Sequence, residues 1–100
     1  MKRNTQEFKE LIYDLMNGSL DLERYPVKES QYVQNEFARG MPCERAYQKI
    51  YEANQRICEQ FKVQEHEDVE IIINNFFIIA KCFAMKMYDY GVLFSTPSIK

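Results

Sequence analysis

Hydrophobic residues recur along most of this chain at the three- and four-residue spacing of an amphipathic helix. The first such run predicts a helix over about 5–17, because its apolar residues share one face. Asn4 or Thr5 can cap its start, and Gly18 supplies the left-handed residue that commonly ends a helix. The apolar positions of this run are Phe8, Leu11, Ile12, Leu15 and Met16.

The same periodicity predicts three further helices, so the predicted fold class is all-α. The second run has a thin apolar stripe, chiefly Val33 and Phe37, and is expected to be peripheral. Pro42 suits the first turn of the third helix, acidic residues around Asp68 suit the start of the fourth, and Gly91 is expected to end it. We therefore predict a small bundle of four helices whose last helix is the longest and most buried. The expected ranges are about 5–17, 27–39, 42–61 and 68–90.

One hundred residues fit one domain. Residues 1–91 are expected to form a single helical domain, and residues 92–100 a poorly ordered C-terminal tail. Val92, Leu93 and Phe94 open this tail with three apolar residues in series, which either touch the core or contact a protein partner.

The fourth predicted helix has apolar residues on two sides when its residues are placed at steps of about 100°. The broad stripe consists of Val69, Ile72, Ile73, Phe76, Phe77, Ile79, Ala80, Phe83, Ala84, Met87 and Tyr90. The narrow stripe, on the other side, consists of Ile71, Ile78, Cys82 and Met85. The spacing within the narrow stripe matches the seven-residue pattern of a helix–helix contact.

Two arrangements account for the narrow stripe. Either helices of the same chain surround the fourth helix, or a second molecule covers its reverse side. Burial of one isoleucine side chain is worth about 1.5–3 kcal/mol, so four such positions are not expected to stay in water. Because the first helix is short and the second is weak, we favour a homodimer with the narrow stripe near its two-fold axis.

Asn54 interrupts the apolar arc of the third predicted helix near its middle. Buried polar groups usually have hydrogen-bond partners, so we expect a buried asparagine bonded to a backbone or side-chain group. A role in binding a ligand or fixing helix register is the alternative.

The charge distribution argues against a nucleic-acid binder. The net charge is −2, with eight basic and eight acidic residues in 1–50 and five and seven in 51–100. Nucleic-acid binding normally needs a basic face. A small nucleic-acid-binding regulator is nevertheless the rival hypothesis, with predicted helices two and three as a helix-turn-helix. Its phosphate contacts would be Arg39, Arg45, Lys49 and Arg56.

The sequence also bears on compartment and membrane association. The three cysteines are odd in number and lack a CxxC pair, so we expect no disulfide framework and a reducing cytoplasm. The most apolar stretch, residues 71–88, is interrupted by asparagine and lysine, which disfavours a membrane span.

No motif in the chain specifies a chemistry. His66 is the only histidine, and no second histidine or cysteine lies at a metal-ligand spacing from it. No nucleophile motif or glycine-rich phosphate loop is present. We therefore expect no catalytic residues, no metal site and no cofactor.

Two stretches resemble small bacterial proteins that carry a domain of unknown function. They are residues 8–18, FKELIYDLMNG, and residues 84–91, AMKMYDYG. The resemblance covers residues 1–91 and implies a bacterial origin without implying an activity. The sequence as a whole favours a non-enzymatic helical protein–protein interaction module that forms a homodimer through its fourth helix.

Overall fold

A computed structural model of the chain describes residues 5–24 and 26–95. Asn4, the alternative helix cap, and residues 96–100 of the expected tail lie outside these ranges. The described residues form helices, turns and loops without a strand, which confirms the all-α class. The helices are α1 (Gln6–Met16), a 3₁₀ helix (Lys28–Gln31), α2 (Pro42–Phe61) and α3 (Glu67–Ser95).

Helix α1 begins and ends where its sequence signals predict. The Thr5 hydroxyl oxygen accepts a hydrogen bond of 3.2 Å from the Phe8 backbone N–H, which satisfies a free donor of the first turn. Gly18 has φ +75°, and the Ser19 N–H donates to the Asp14 carbonyl at 3.1 Å. This bond and the left-handed glycine form a Schellman motif, which stops the helix.

The prediction of a helix over 27–39 is wrong, and the four-helix bundle is therefore not confirmed. Only the short 3₁₀ helix forms there, because later backbone N–H groups donate to other partners. The Glu36 N–H donates to the Met16 carbonyl at 2.6 Å, and the Phe37 N–H donates to the Asn35 side chain at 2.9 Å. A polar side chain that bonds to nearby backbone competes with helix formation.

Helix α2 has the predicted bounds, but α3 continues beyond its predicted end. Gly91 lies inside α3 and does not have a positive φ, so it does not terminate the helix. Residues 92–95, expected to begin a poorly ordered tail, are the last helical residues of α3. The predicted end of this helix near residue 90 is therefore wrong, and the helix includes the first four residues of the expected tail.

Helices α1 and α3 pack against each other in antiparallel directions. Near the start of α1, the Phe8 ring lies 6.4 Å from the Tyr88 ring. One turn later, the Lys81 ammonium lies 5.6 Å from the Tyr13 ring centroid. Leu15 follows on α1 and is the only buried residue in the part of the chain that the structure describes, with 5% of its surface exposed.

The prediction that the last helix is the most buried is wrong. Helix α3 is the longest, at 29 residues, but none of its residues is buried, and none of α2 is buried either. The chain is correspondingly extended, with a radius of gyration of 17.1 Å and extents of 57 × 33 × 23 Å. A compact chain of 100 residues has a radius of gyration of about 13 Å. The apolar surface of α3 therefore exceeds what α1 and α2 cover.

Candidate protein interface on helix α3

One face of α3 contacts the rest of the chain. At its centre is Phe77, whose ring lies 5.8 Å from the Tyr47 ring on α2 and 6.4 Å from the Phe37 ring. Phe37 also meets Tyr47 edge-on at 6.2 Å, so three rings from separate segments form one cluster. Such aromatic pairs stabilise by about 0.5–1.5 kcal/mol beyond their buried area. This cluster fixes which side of α3 faces α1 and α2.

Polar contacts join the distal half of α3 to α1. The Lys9 ammonium lies 2.8 Å from the Asp89 carboxylate, and the Lys81 ammonium lies 3.9 Å from the Glu10 carboxylate. Both pairs join α1 to α3, so they set the relative rotation of the two helices. Exposed ion pairs contribute only about 0–1 kcal/mol, so apolar packing remains the main source of stability.

The narrow stripe, predicted from sequence as the interface, lies to one side of this contact face. Ile71 and Ile78 are 51% and 59% exposed, Cys82 is exposed, and Met85 is half-buried. Residues of α1 reach only its edge, where Gln6 and Lys9 help to line a shallow groove. Helices of the same chain therefore do not surround α3 in the described structure.

A second apolar row on α3 is more exposed than the narrow stripe. Its seven members, which we call the outer row, lie on the other side of the contact face, and each is 53–74% exposed. The outer row consists of Ile72, Phe76, Ile79, Phe83, Met87, Tyr90 and Phe94.

The first six of these residues belong to the broad stripe of the helix that we predicted to be the most buried, and that expectation is wrong for them. Only the other flank of the broad stripe is half-buried, at Val69, Ile73, Phe77, Ala80 and Ala84. A stripe of eleven residues is too broad for contact with α1 and α2 alone. The sequence signal that could have identified the outer row is that the stripe is wider than the contact surface of the short α1.

The outer row contains no charged residue, and four of its seven members are aromatic, namely Phe76, Phe83, Tyr90 and Phe94. Aromatic residues and methionine are enriched in protein–protein interfaces, where charged residues are depleted. Large contiguous apolar patches on a soluble surface commonly mark contact sites. The composition of the outer row is therefore typical of a protein interface.

The total surface supports the same interpretation. The accessible area of the chain is 8433 Å². A compact monomer of this mass, 12.0 kDa, exposes about 6,000 Å². The chain therefore leaves about 2,400 Å² more surface in water than a compact monomer of its mass.

The structure also shows the positions of two other predicted sites, Asn54 and the apolar residues 92–94. Asn54 is half-buried on α2, and its side-chain oxygen accepts a hydrogen bond of 3.5 Å from the Cys58 thiol one turn later. Val92, Leu93 and Phe94 are all exposed at the end of α3, and Phe94 extends the outer row by one turn. Their contact with a protein partner stays a prediction.

The helix-turn-helix hypothesis loses its structural premise. The first of its two helices is not formed, because residues 27–39 contain only the 3₁₀ helix. In addition, the Arg45 guanidinium donates to the Gly40 carbonyl at 2.6 Å and is directed to the protein's own backbone.

Groups that could support catalysis or metal binding are dispersed. Within residues 5–24 and 26–95, no three histidine, cysteine or carboxylate side chains are grouped closely enough to hold a metal ion. The His66 ring packs edge-on against Phe61, with 5.0 Å between ring centroids. The same ranges contain no helix with the length and hydropathy needed to cross a membrane.

Comparisons with protein families, curated proteins and solved structures find no match to this chain.

Proposed function

We propose that this protein is a non-enzymatic helical interaction module that forms a homodimer through α3. The observation that carries the proposal is the exposure of the outer row, whose seven large apolar side chains are each 53–74% exposed in the described chain. The narrow stripe, exposed on the other side of the contact face, enlarges the apolar surface available to a partner.

Large apolar side chains that stay in water forgo the free energy of burial. Full burial of one isoleucine, phenylalanine or methionine side chain contributes about 1.5–3 kcal/mol. Most single domains are stable by only about 5–15 kcal/mol. Because the members are already partly covered, burial of their remaining surface would contribute on the order of several kcal/mol, from which the cost of association is subtracted.

A second copy of the chain is the partner that the area favours. The excess area of about 2,400 Å² per chain is larger than the ~800 Å² per partner that a stable interface of standard size buries. Symmetric dimers are also the commonest oligomers of soluble proteins.

The free thiols of Cys43, Cys58 and Cys82 support a reducing compartment, and we propose the cytoplasm.

The test is the molar mass in solution, measured by size exclusion with light scattering. The native chain should have a mass near twice 12.0 kDa at tens of micromolar. Ile79→Asp combined with Phe83→Asp should yield monomers, because two carboxylates would be buried without partners. A native mass near 12.0 kDa would exclude the proposal.

Two further variants separate the faces of α3. Ile78→Asp combined with Met85→Lys changes the narrow stripe, so monomers from this variant would show that the narrow stripe also lies in the interface. Tyr32→Asp is the matched control, since Tyr32 is 84% exposed and lies outside α3. It should leave the dimer intact.

A further inference from the structure

The outer row has a regular spacing along α3. Successive members are separated by 4, 3, 4, 4, 3 and 4 residues. Ile72, Phe83 and Phe94 are therefore equivalent positions in an eleven-residue repeat. Such a repeat gives about 3.67 residues per turn, close to the 3.6 of a straight α-helix. The row consequently runs almost parallel to the helix axis for about 33 Å, at 1.5 Å per residue.

This spacing reads the same from either end. Phe83 is its midpoint, with three members on each side at matching separations. A row with palindromic spacing is self-complementary when a second copy lies antiparallel to it, because a two-fold axis exchanges the two halves. A parallel pair in register also places like positions side by side, so the spacing allows both directions and the charges of α3 decide between them.

We propose, on the basis of the homodimer proposed above, that two α3 helices pair antiparallel along their outer rows with the two-fold axis at Phe83. Phe83 then meets its own copy. On either side of the axis, Ile79 faces Met87 of the second copy, and Phe76 faces Tyr90. At the ends, Ile72 faces Phe94, a residue of the predicted tail.

The charges of α3 favour this direction. Its first turn contains Glu67, Asp68 and Glu70, and its last turn contains no basic residue. In a parallel pair, the two acidic turns would lie side by side and repel each other. In the antiparallel pair, they lie at opposite ends of helices about 43 Å long, well beyond the screening length at physiological salt. The helix dipoles also oppose each other in this arrangement.

The remaining elements leave room for the second copy. The contacts of α3 with α1 and α2 are made by the face that contains Phe77, Lys81 and Tyr88. The outer row lies to one side of that face, and its members remain exposed after α1 and α2 have packed. The second α3 therefore docks without displacing an element of the chain.

Disulfide trapping tests the direction and the axis together. The experiment uses the full chain with Cys43, Cys58 and Cys82 replaced by serine, after light scattering has shown that this background keeps the dimer mass. Ile79→Cys combined with Met87→Cys should give a covalent dimer under oxidation. Either substitution alone should not, because like positions would be offset by about 12 Å along the axis, beyond the reach of a disulfide.

The controls distinguish this inference from the homodimer itself. Phe83→Cys should cross-link to its own copy, which confirms that the outer row lies at the interface. Cross-linking by Ile72→Cys alone or by Ile79→Cys alone would show a parallel pair and overturn the inference. If the serine-substituted chain keeps the dimer mass but none of these cysteine variants cross-links, the inference is also overturned, whereas the homodimer proposal stands. A monomeric native chain would overturn both proposals.

Discussion

Lys9 and Asp89 are 80 positions apart in the sequence, yet their side chains form an ion pair with a nitrogen–oxygen distance of 2.8 Å. Lys9 is largely covered, with 12% of its side chain exposed, whereas the Asp89 side chain is 49% exposed. The pair joins the start of α1 to the distal part of α3. It is therefore a direct probe of the packing on which the position of the outer row depends.

We expect this ion pair to have a small but measurable coupling energy. A double-mutant cycle of Lys9→Ala and Asp89→Ala, measured by urea unfolding, should give about 0.5–1 kcal/mol, because one partner is well exposed. The pair of Lys81 and Glu10, at 3.9 Å and with both side chains about half exposed, is the control and should couple more weakly. Equal coupling in both cycles would contradict the described packing of α1 on α3.

Leu15 should be the most sensitive apolar position of α1. It is the one buried residue among those that the structure describes, so Leu15→Ala leaves a cavity and should lower the free energy of unfolding by about 3 kcal/mol. The matched control is Leu22→Ala, at an exposed leucine, which should cost less than about 1 kcal/mol. Both are measured by urea unfolding at one protein concentration, since dimerisation makes stability depend on concentration. Similar losses at both leucines would contradict a core centred on Leu15.

Gly91→Ala should stabilise the protein. Gly91 lies within α3, lacks a positive φ, and has open space where a Cβ would be placed. Alanine in a helix is about 0.5–1 kcal/mol more favourable than glycine, so the midpoint of thermal or urea unfolding should rise. If Gly91 were instead a left-handed helix end, alanine would destabilise the chain, and a lower midpoint would contradict the continuation of α3 to Ser95.

Gly18→Ala and Gly40→Ala should destabilise by different amounts. Both glycines have a positive φ, at which a Cβ costs about 1–2 kcal/mol. A Cβ at Gly40 meets open space, whereas one at Gly18 lies 2.5 Å from the Asn35 amide nitrogen. Asn35 cannot move freely, because its side-chain oxygen accepts the bond from Phe37. Gly18→Ala should therefore cost about 1 kcal/mol more than Gly40→Ala.

Removal of the Asn35 side chain tests this explanation. In a chain that carries Asn35→Ala, the extra cost at Gly18 should disappear, and the two glycine substitutions should have similar effects on urea unfolding. Persistence of the difference would show that the close approach of Asn35 is not its cause.

Local signals were sufficient to predict α1 and α2. Thr5 and Gly18 bound α1 through hydrogen bonds and a backbone conformation that depend on a few neighbouring residues. Pro42 likewise stands at the first position of α2. Signals of this kind are read directly from sequence because the groups that satisfy each other are close along the chain.

The segment over 27–39 could not be predicted in the same way. The Glu36 N–H donates to the carbonyl of Met16, a residue 20 positions earlier, and this long-range bond has no sequence signature. The end of α3 was predicted wrongly for a related reason. Glycine ends a helix only when it adopts the left-handed conformation, and its identity alone does not determine whether it does so.

The apolar surface that α3 exposes was predicted in part. The excess of apolar surface on the last helix was visible in its two stripes, and Ile71, Ile78 and Cys82 are indeed exposed. The more exposed outer row was assigned to the core instead, because periodicity shows which residues share a face but not which neighbouring helix covers it. That information depends on how α1 packs, and hence on contacts such as Lys9 with Asp89.

The central claim is that α3 is covered by a second copy of the chain, and the molar mass in solution tests it most directly. Light scattering on the native chain at tens of micromolar should give about 24 kDa, twice the chain mass of 12.0 kDa. Ile79→Asp with Phe83→Asp should reduce it to the mass of one chain. A folded native chain with a mass of one copy across this concentration range would contradict the account.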